Sequence, residues 1–144
     1  VSKGVELGLA GRITDAWQLM GGYARQAGEI TATQSASAPA GNRLAQLPRH
    51  SASLWNRYDF GPQFGIGLGI VHRGAIYANV DNAVSLPGFT RFDGALYWTL
   101  SPTLQVQLNV ENLADTRYFA SAHNNNNITP GAPRSAWVSL NLRY

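Results

Sequence analysis

The chain of 144 residues is long enough for one domain, and its charged residues make up only 13% of the sequence, about half of the ~25% usual in soluble domains. No stretch approaches the roughly 18 consecutive apolar residues of a membrane-spanning helix, there is no cysteine, and the basic residues behind the net charge of +3 are dispersed. Composition therefore argues against a helical membrane protein, a nucleic-acid-binding surface and a thiolate metal site. It is typical of a transmembrane β-barrel, in which alternation dilutes the apolar residues.

Alternation of apolar and polar residues, the signature of a strand with two different faces, recurs along the whole chain. The clearest case is LQVQLNVE at residues 104–111, in which every position obeys the pattern. No segment has a convincing helical period. We predict seven strands, at residues 4–13, 17–24, 50–60, 64–73, 89–100, 104–111 and 135–144.

The connections between these strands alternate in length. Residues 14–16, 61–63 and 101–103 have the composition of tight turns, whereas residues 26–49, 79–88 and 121–134 form long polar connections rich in Ala, Ser, Asn, Gly and Pro. Short and long connections that alternate on antiparallel strands are typical of an outer-membrane barrel, with periplasmic turns and extracellular loops.

Aromatic residues collect near both ends of the predicted strands, as in the two girdles of a membrane barrel. Near the short turns lie Trp17, Phe60, Phe64, Trp98 and Tyr144, and near the long connections lie Tyr23, Tyr77, Phe89, Phe92 and Tyr118. Preference of aromatic residues for strands in general is the simpler alternative. We favour the girdles.

Four pieces of sequence, in order through nearly the whole chain, carry a family resemblance. They are GVELGLAGRITDAWQLMGGYA, RLAQLPRHSASLWNRYDF, LPGFTRFDGALYWTLSPTLQVQLNVENLADTRYF and ITPGAPRSAWVSLNLRY. Their most specific parts are the Asn-Leu-x-Asp-x-x-Tyr run at residues 112–118 and Gly-Ala-Pro-Arg at residues 131–134. Together they resemble the C-terminal end of TonB-dependent outer-membrane receptors of the siderophore-receptor kind.

The resemblance implies an all-β, antiparallel up-and-down transmembrane segment, with seven strands of a barrel of about 22 that closes around an N-terminal plug. Residues 1–144 would then be the C-terminal part of the barrel, without the plug and the earlier strands. We expect no transport by this part alone, and its two edge strands would be open to pairing. The whole receptor would take up ferric siderophores across the bacterial outer membrane, with energy relayed by TonB. Other expected partners are outer-membrane lipid and the barrel-assembly machinery, for which the closing strand with Val138, Leu140, Leu142 and Tyr144 looks like the signal.

Four residues on the predicted lumenal face are the ligand-binding candidates. Trp55, Arg91, Tyr97 and Trp137 suit an anionic, aromatic ferric chelate, although lumenal residues of this kind also hold a plug. The polar loop at residues 123–133 could contact a ligand at the mouth of the barrel, but a solvated loop is the simpler interpretation.

We expect no enzyme, no cofactor and no metal site. His50, His72 and His123 are scattered over a strand start, a strand end and a loop. The carboxylates of Asp59, Asp93 and Glu111 are better explained as partners in lumenal ion pairs than as catalytic groups, because nothing marks a nucleophile.

Two other classes of protein remain open at this point. One is a small passive barrel, a pore or an adhesin, with an eighth strand within residues 118–127 that the pattern missed. The other is a soluble lipocalin-like binder, which requires that the apolar faces point inward.

Overall fold

A computed structural model describes residues 1–143 of the chain. Most of these residues lie in one antiparallel sheet, and the remaining strands form two small hairpins. The strands are β1 Ser2–Arg12, β2 Trp17–Gly28, β3 His50–Phe60, β4 Phe64–Arg73, β5 Ile76–Tyr77, β6 Ser85–Leu86, β7 Phe89–Ser101, β8 Leu104–Glu111, β9 Phe119–Asn124, β10 Asn127–Pro130 and β11 Ser135–Leu142. Over the described residues, no helix is long and apolar enough to cross a membrane.

The main sheet has the order β1-β2-β3-β4-β7-β8-β11, and each neighbouring pair is antiparallel. All seven predicted strands are therefore confirmed, in an up-and-down arrangement. β2 continues to Gly28, beyond the predicted end at residue 24, and β11 ends at Leu142. The predicted position of Tyr144 lies outside the described residues.

Three tight turns join strands at one end of the sheet, which we call the short-turn end. The turn at residues 61–63 requires Gly61, whose φ of 70° is a left-handed conformation that glycine adopts without strain. Before the β7–β8 turn, the register shifts between Thr99 and Ser101, and the Ser101 hydroxyl accepts hydrogen bonds from the backbone N–H groups of Thr103 and Leu104 at 3.3 and 3.1 Å. These contacts hold the β7–β8 turn tight.

The two faces of the main sheet differ in polarity. Cross-strand pairing aligns Phe64 with Trp98, Trp98 with Val106, and Val106 with Leu140, and Leu140 is 65% exposed. We call this the apolar face, and the opposite one, which carries Arg57, Asp59 and Tyr97, the polar face. A water-soluble sheet buries its apolar residues, so this exposed apolar face is the arrangement of a membrane barrel wall and not of a lipocalin-like binder.

The aromatic girdle is clear at the short-turn end only. On the apolar face there, the rings of Phe64 and Trp98 stack with centroids 5.9 Å apart, and Tyr58 meets Phe60 edge to face at 5.1 Å. Near the long connections the apolar face carries Tyr23 and Phe92, both exposed. The other aromatic residues predicted for that end pack within the connections or on the polar face, namely Tyr77, Phe89 and Tyr118.

The long connections contain structure that the sequence pattern did not predict. The hairpins β5–β6 and β9–β10 lie within them and bring together a buried apolar cluster of Ile76, Ala78, Leu86 and Ala122, with Val84 and Ile128 packed against it. β9 lies in the segment where an eighth barrel strand was considered, but it pairs with β10 and not with the main sheet. Within residues 1–143 the main sheet has seven strands and its two edges do not pair with each other, so the alternative of an eight-stranded small barrel is wrong.

Candidate binding surface

The four candidate residues lie on the polar face, but they do not converge on one pocket. Trp55 on β3 and Trp137 on β11 are separated by four strand spacings, or about 19 Å at ~4.8 Å each. Tyr97 and Arg91 lie between them on β7. The candidates therefore mark a broad surface and not a closed site.

The indole of Trp55 lies flat against the neighbouring strand. A Cβ atom added at Gly67 would come within 2.5 Å of this ring, and one added at Gly69 within 2.6 Å. The alternating glycines of β4 therefore make room for Trp55. The register pairs Trp55 with Gly69, and Gly67 lies two residues along β4 on the same face. The signal in the sequence was the tight turn at residues 61–63, which joins the strand of Trp55 to the strand of these glycines.

Arg57, Asp59 and Tyr97 form a compact polar group toward the short-turn end. The Arg57 Nε donates to Asp59 Oδ1 at 2.9 Å, and the guanidinium lies 4.1 Å from the centroid of the Tyr97 ring. This cation–π contact covers the ring, and Tyr97 is only 9% exposed. Tyr97 therefore presents little of its ring to a ligand in this conformation.

Arg91 is the centre of a second polar group near the long connections. It forms ion pairs with Glu111 and with Asp93, the latter at 3.0 Å, and it also donates to the Tyr118 hydroxyl at 3.1 Å. Two carboxylates around one guanidinium leave the group with an excess of negative charge. The predicted role of Asp93 and Glu111 as ion-pair partners agrees with this geometry, whereas Arg91 has little net positive charge to offer an anionic ligand.

Trp137 differs from the other candidates because it is exposed in the described chain, where β11 is an edge strand. Its side chain is 48% exposed on β11, in the row that runs through Ala95 and Asn109. An exposed indole on a polar face is suited to stacking against an aromatic ligand.

Asn112 is the first residue after β8, and its side chain holds the connection between β8 and β11 together. It is fully buried in the left-handed conformation, with a φ of 56°. Its Nδ2 donates to the carbonyls of Thr116 and Ala132 at 3.0 and 3.1 Å, and its Oδ1 accepts from the Thr116 N–H at 2.8 Å. Its own N–H donates to Asp93 Oδ1 at 2.9 Å, which ties this connection to the polar face.

The two motifs that are most specific to the family resemblance contact each other. Asp115 Oδ1 accepts from the Arg134 N–H at 2.9 Å, and the Tyr118 carbonyl accepts from the Gly131 N–H at 2.7 Å. A side chain at position 131 would overlap the Tyr118 ring, which in turn stacks on Phe89 at 4.1 Å. These motif residues therefore hold the connection between β8 and β11 in shape, which is a structural role.

The three long connections are held together by asparagine and aspartate side chains. Asn82 Oδ1 accepts from the Arg43 N–H at 2.8 Å, and Asn82 Nδ2 donates to the Arg43 carbonyl at 2.9 Å. Asn125 donates to Asp81 at 2.7 Å. The loop at residues 123–133, for which a solvated loop was the simpler prediction, is thus partly a hairpin bound to its neighbour.

His50 and His72 lie on neighbouring strands of the apolar face, and each contacts a different hydroxyl group. His50 contacts the Tyr23 hydroxyl at 2.8 Å and His72 contacts the Thr90 hydroxyl at 2.9 Å, whereas His123 is exposed in β9. Within residues 1–143, no group of three or more His, Asp and Glu side chains is arranged to hold a metal ion.

Comparison with known proteins identifies relatives of the whole chain. The family described as TonB dependent receptor-like, beta-barrel matches residues 1–113. The probable TonB-dependent siderophore receptor PiuA of Acinetobacter baumannii is 33% identical over 98% of this chain, which corresponds to 20% of PiuA. The catecholate siderophore receptor Fiu of Escherichia coli K12 is 33% identical over 99% of this chain and 19% of its own length.

Solved structures agree in fold with the described sheet. The crystal structure of PiuA superposes with a TM-score of 0.91 at 32% identity, over 99% of this chain and 22% of PiuA. The closed form of Fiu gives a TM-score of 0.88 at 31% identity, over 99% of this chain and 21% of Fiu. The chain thus spans about a fifth of the length of the relatives it matches.

Proposed function

The chain belongs to the TonB-dependent receptor-like β-barrel family, whose sequence model matches residues 1–113. We therefore propose that it is the C-terminal part of the barrel of an outer-membrane receptor for ferric siderophores. The observation that carries this proposal is the open seven-stranded sheet with an exposed apolar face and an ion-paired polar face. Such a sheet satisfies its edges and covers its apolar face only as one sector of a larger barrel in lipid.

In the proposed receptor the apolar face contacts lipid and the polar face lines the lumen. The remaining strands, the plug and the segment that contacts TonB belong to the rest of the receptor, since the chain covers about a fifth of its relatives. The barrel-assembly machinery reads the closing strand through Val138, Leu140 and Leu142, which all lie on the apolar face of β11. Tyr144 completes this signal.

The polar face contributes to the ligand path mainly through Trp137. Trp55, Arg91 and Tyr97 remain candidates, but their rings and charge are engaged within the chain. A catecholate-type ferric chelate is anionic and aromatic, so an exposed indole and nearby amide side chains such as Asn109 suit it. PiuA and Fiu carry siderophore receptor in their names, which supports this ligand class.

The test is uptake of radioactive iron by cells that lack their own siderophore receptors and express the full-length receptor. We expect uptake of a ferric catecholate that depends on TonB. Trp137→Ala should raise the KM for uptake about two- to tenfold, because aromatic stacking is worth roughly 0.5–1.5 kcal/mol.

Trp98→Ala is the matched control, since Trp98 is 47% exposed on the apolar face, close to the 48% of Trp137 on the polar face. It should leave KM unchanged. Uptake of a small unrelated solute without TonB would instead indicate a passive pore, and absence of uptake for every ferric siderophore class would refute the proposal.

A further inference from the structure

Basic residues replace apolar ones on the apolar face as the strands approach the long connections. On β1 the face passes from Val5 to Lys3, and on β2 from Tyr23 to Arg25. The same change occurs at the neighbouring strand ends, where β3 carries His50 and β4 carries His72. The short-turn end of this face has aromatic residues instead, and among the described residues no lysine or arginine lies on it there.

Three of these residues line one cavity of about 420 Å³, whose full lining is Lys3, Gly4, Val5, Arg25, Gln26, Ala27, Arg49 and His50. Arg49, in the bend just before β3, adds a third permanent cation to those of Lys3 and Arg25. Val5 and Ala27 supply an apolar floor. We call this cavity the basic groove.

The positive charge of the basic groove is not neutralised within the described residues. The ion pairs of the described residues involve Arg12, Arg57 and Arg91, and none of them includes Lys3, Arg25 or Arg49. The carboxylate Glu29 lines a separate cavity of about 110 Å³ together with Lys3, Arg43 and Arg49, where cations outnumber it. Like charges this close repel each other unless an anion lies between them.

The position of the basic groove selects the anion. It lies directly beyond the apolar belt of Leu7, Leu9 and Tyr23, at the depth where lipid headgroups begin. Long basic side chains at that depth extend toward the interface and meet phosphate. We propose that the basic groove binds a phosphate-bearing lipid headgroup of the leaflet on the side of the long connections, with an acyl chain on the apolar floor below.

This proposal uses the membrane placement proposed above but not the uptake of iron. The experiment therefore uses full-length receptor purified in a nonionic detergent, with binding of diphosphorylated lipid A measured by native mass spectrometry. Lipid A without its phosphates and inorganic phosphate are the two comparison probes. We expect retention of the diphosphorylated lipid only.

The double variant Lys3→Gln/Arg25→Gln should weaken binding of diphosphorylated lipid A about thirtyfold, since each basic residue near a lipid surface contributes roughly 1 kcal/mol. The matched control Arg117→Gln/Arg143→Gln removes the same charge from exposed positions outside the basic groove and should change binding less than twofold. If the first double variant does not assemble, Arg25→Gln alone is compared with Arg25→Lys, which keeps the charge.

Equal binding by both double variants would overturn the proposal, as would equal retention of the dephosphorylated lipid. Tight binding of inorganic phosphate at the groove would show a site for a free anion and would also overturn it. Iron uptake by the Lys3→Gln/Arg25→Gln variant should match wild type, so loss of lipid with retained uptake separates this inference from the proposed function. Lipid binding by a receptor that takes up no siderophore would refute the proposed function alone.

Discussion

Replacement of Asn112 should loosen the whole connection between β8 and β11. Asn112→Ala removes three side-chain hydrogen bonds, two from Nδ2 and one to Oδ1, and leaves the partner groups of Thr116 and Ala132 without them. At about 1 kcal/mol for each bond the loss is roughly 3 kcal/mol. Alanine also strains the left-handed φ of 56°, which costs about 1–2 kcal/mol more.

Asn112→Gly separates the two effects. Glycine loses the same hydrogen bonds but accepts the left-handed conformation, at a cost of about 0.5–1 kcal/mol in chain entropy. It should therefore be less harmful than alanine by roughly 0.5–1 kcal/mol. If glycine is instead more harmful than alanine by roughly 0.5–1 kcal/mol, strain at position 112 contributes nothing.

The assay is hydrogen exchange of the full-length receptor, followed by mass spectrometry on peptides that cover residues 112–134. Local opening should become easier by about 3–5 kcal/mol, so protected amides should exchange at least about a hundredfold faster in Asn112→Ala. Peptides from β3 and β4 serve as the internal control and should keep their protection. Wild-type protection of residues 112–134 in Asn112→Ala would refute the role given to this side chain.

Two further substitutions test the two faces of the sheet. Gly67→Ala should destabilise the receptor by about 1–3 kcal/mol in urea unfolding, because the new Cβ lies 2.5 Å from Trp55. Gly8→Ala is the control, since its Cβ meets nothing within 4 Å. Rescue of Gly67→Ala by Trp55→Leu would confirm the cause, and equal effects of the two alanine variants would contradict it. Leu96→Arg, on the apolar face, should reduce the free energy of folding into lipid vesicles by roughly 2–4 kcal/mol. Gln107→Arg, on the polar face, should reduce it by less than about 1 kcal/mol. The reverse order would show that the two faces are wrongly assigned.

The main sheet could be predicted because a strand with two different faces requires apolar and polar residues to alternate in the sequence. Side chains alternate between faces with a period of two, so residues 104–111 reveal both that β8 is a strand and which side chains share a face. The same rule placed Trp55, Arg91, Tyr97 and Trp137 on one face. The alternation could not predict how far apart these four side chains lie, because the distances depend on strand order. Nor could it predict which residues each side chain contacts.

The hairpins and the Asn112 contacts could not be predicted from periodicity. β5 and β6 have two residues each, which is too short for alternation to be visible. Asn112 was recognised as part of a motif, but its role depends on Thr116 and Ala132, and Ala132 lies 20 residues away in the chain. The stack of Trp55 on Gly67 and Gly69 was predictable in principle, since it needed only the register of two strands that the pattern had already found.

The apolar cluster shared by the two hairpins has a consequence for recognition by antibodies. Residues on β5, β6 and β9 contribute to it, and side chains such as Asn82 join the first connection to the second. An antibody that binds the long-connection end of the main sheet meets one composite epitope, assembled from distant parts of the chain. Short synthetic peptides copied from a single connection lack the partners that give it its shape, so an immunogen for this surface has to present all three connections on their strands.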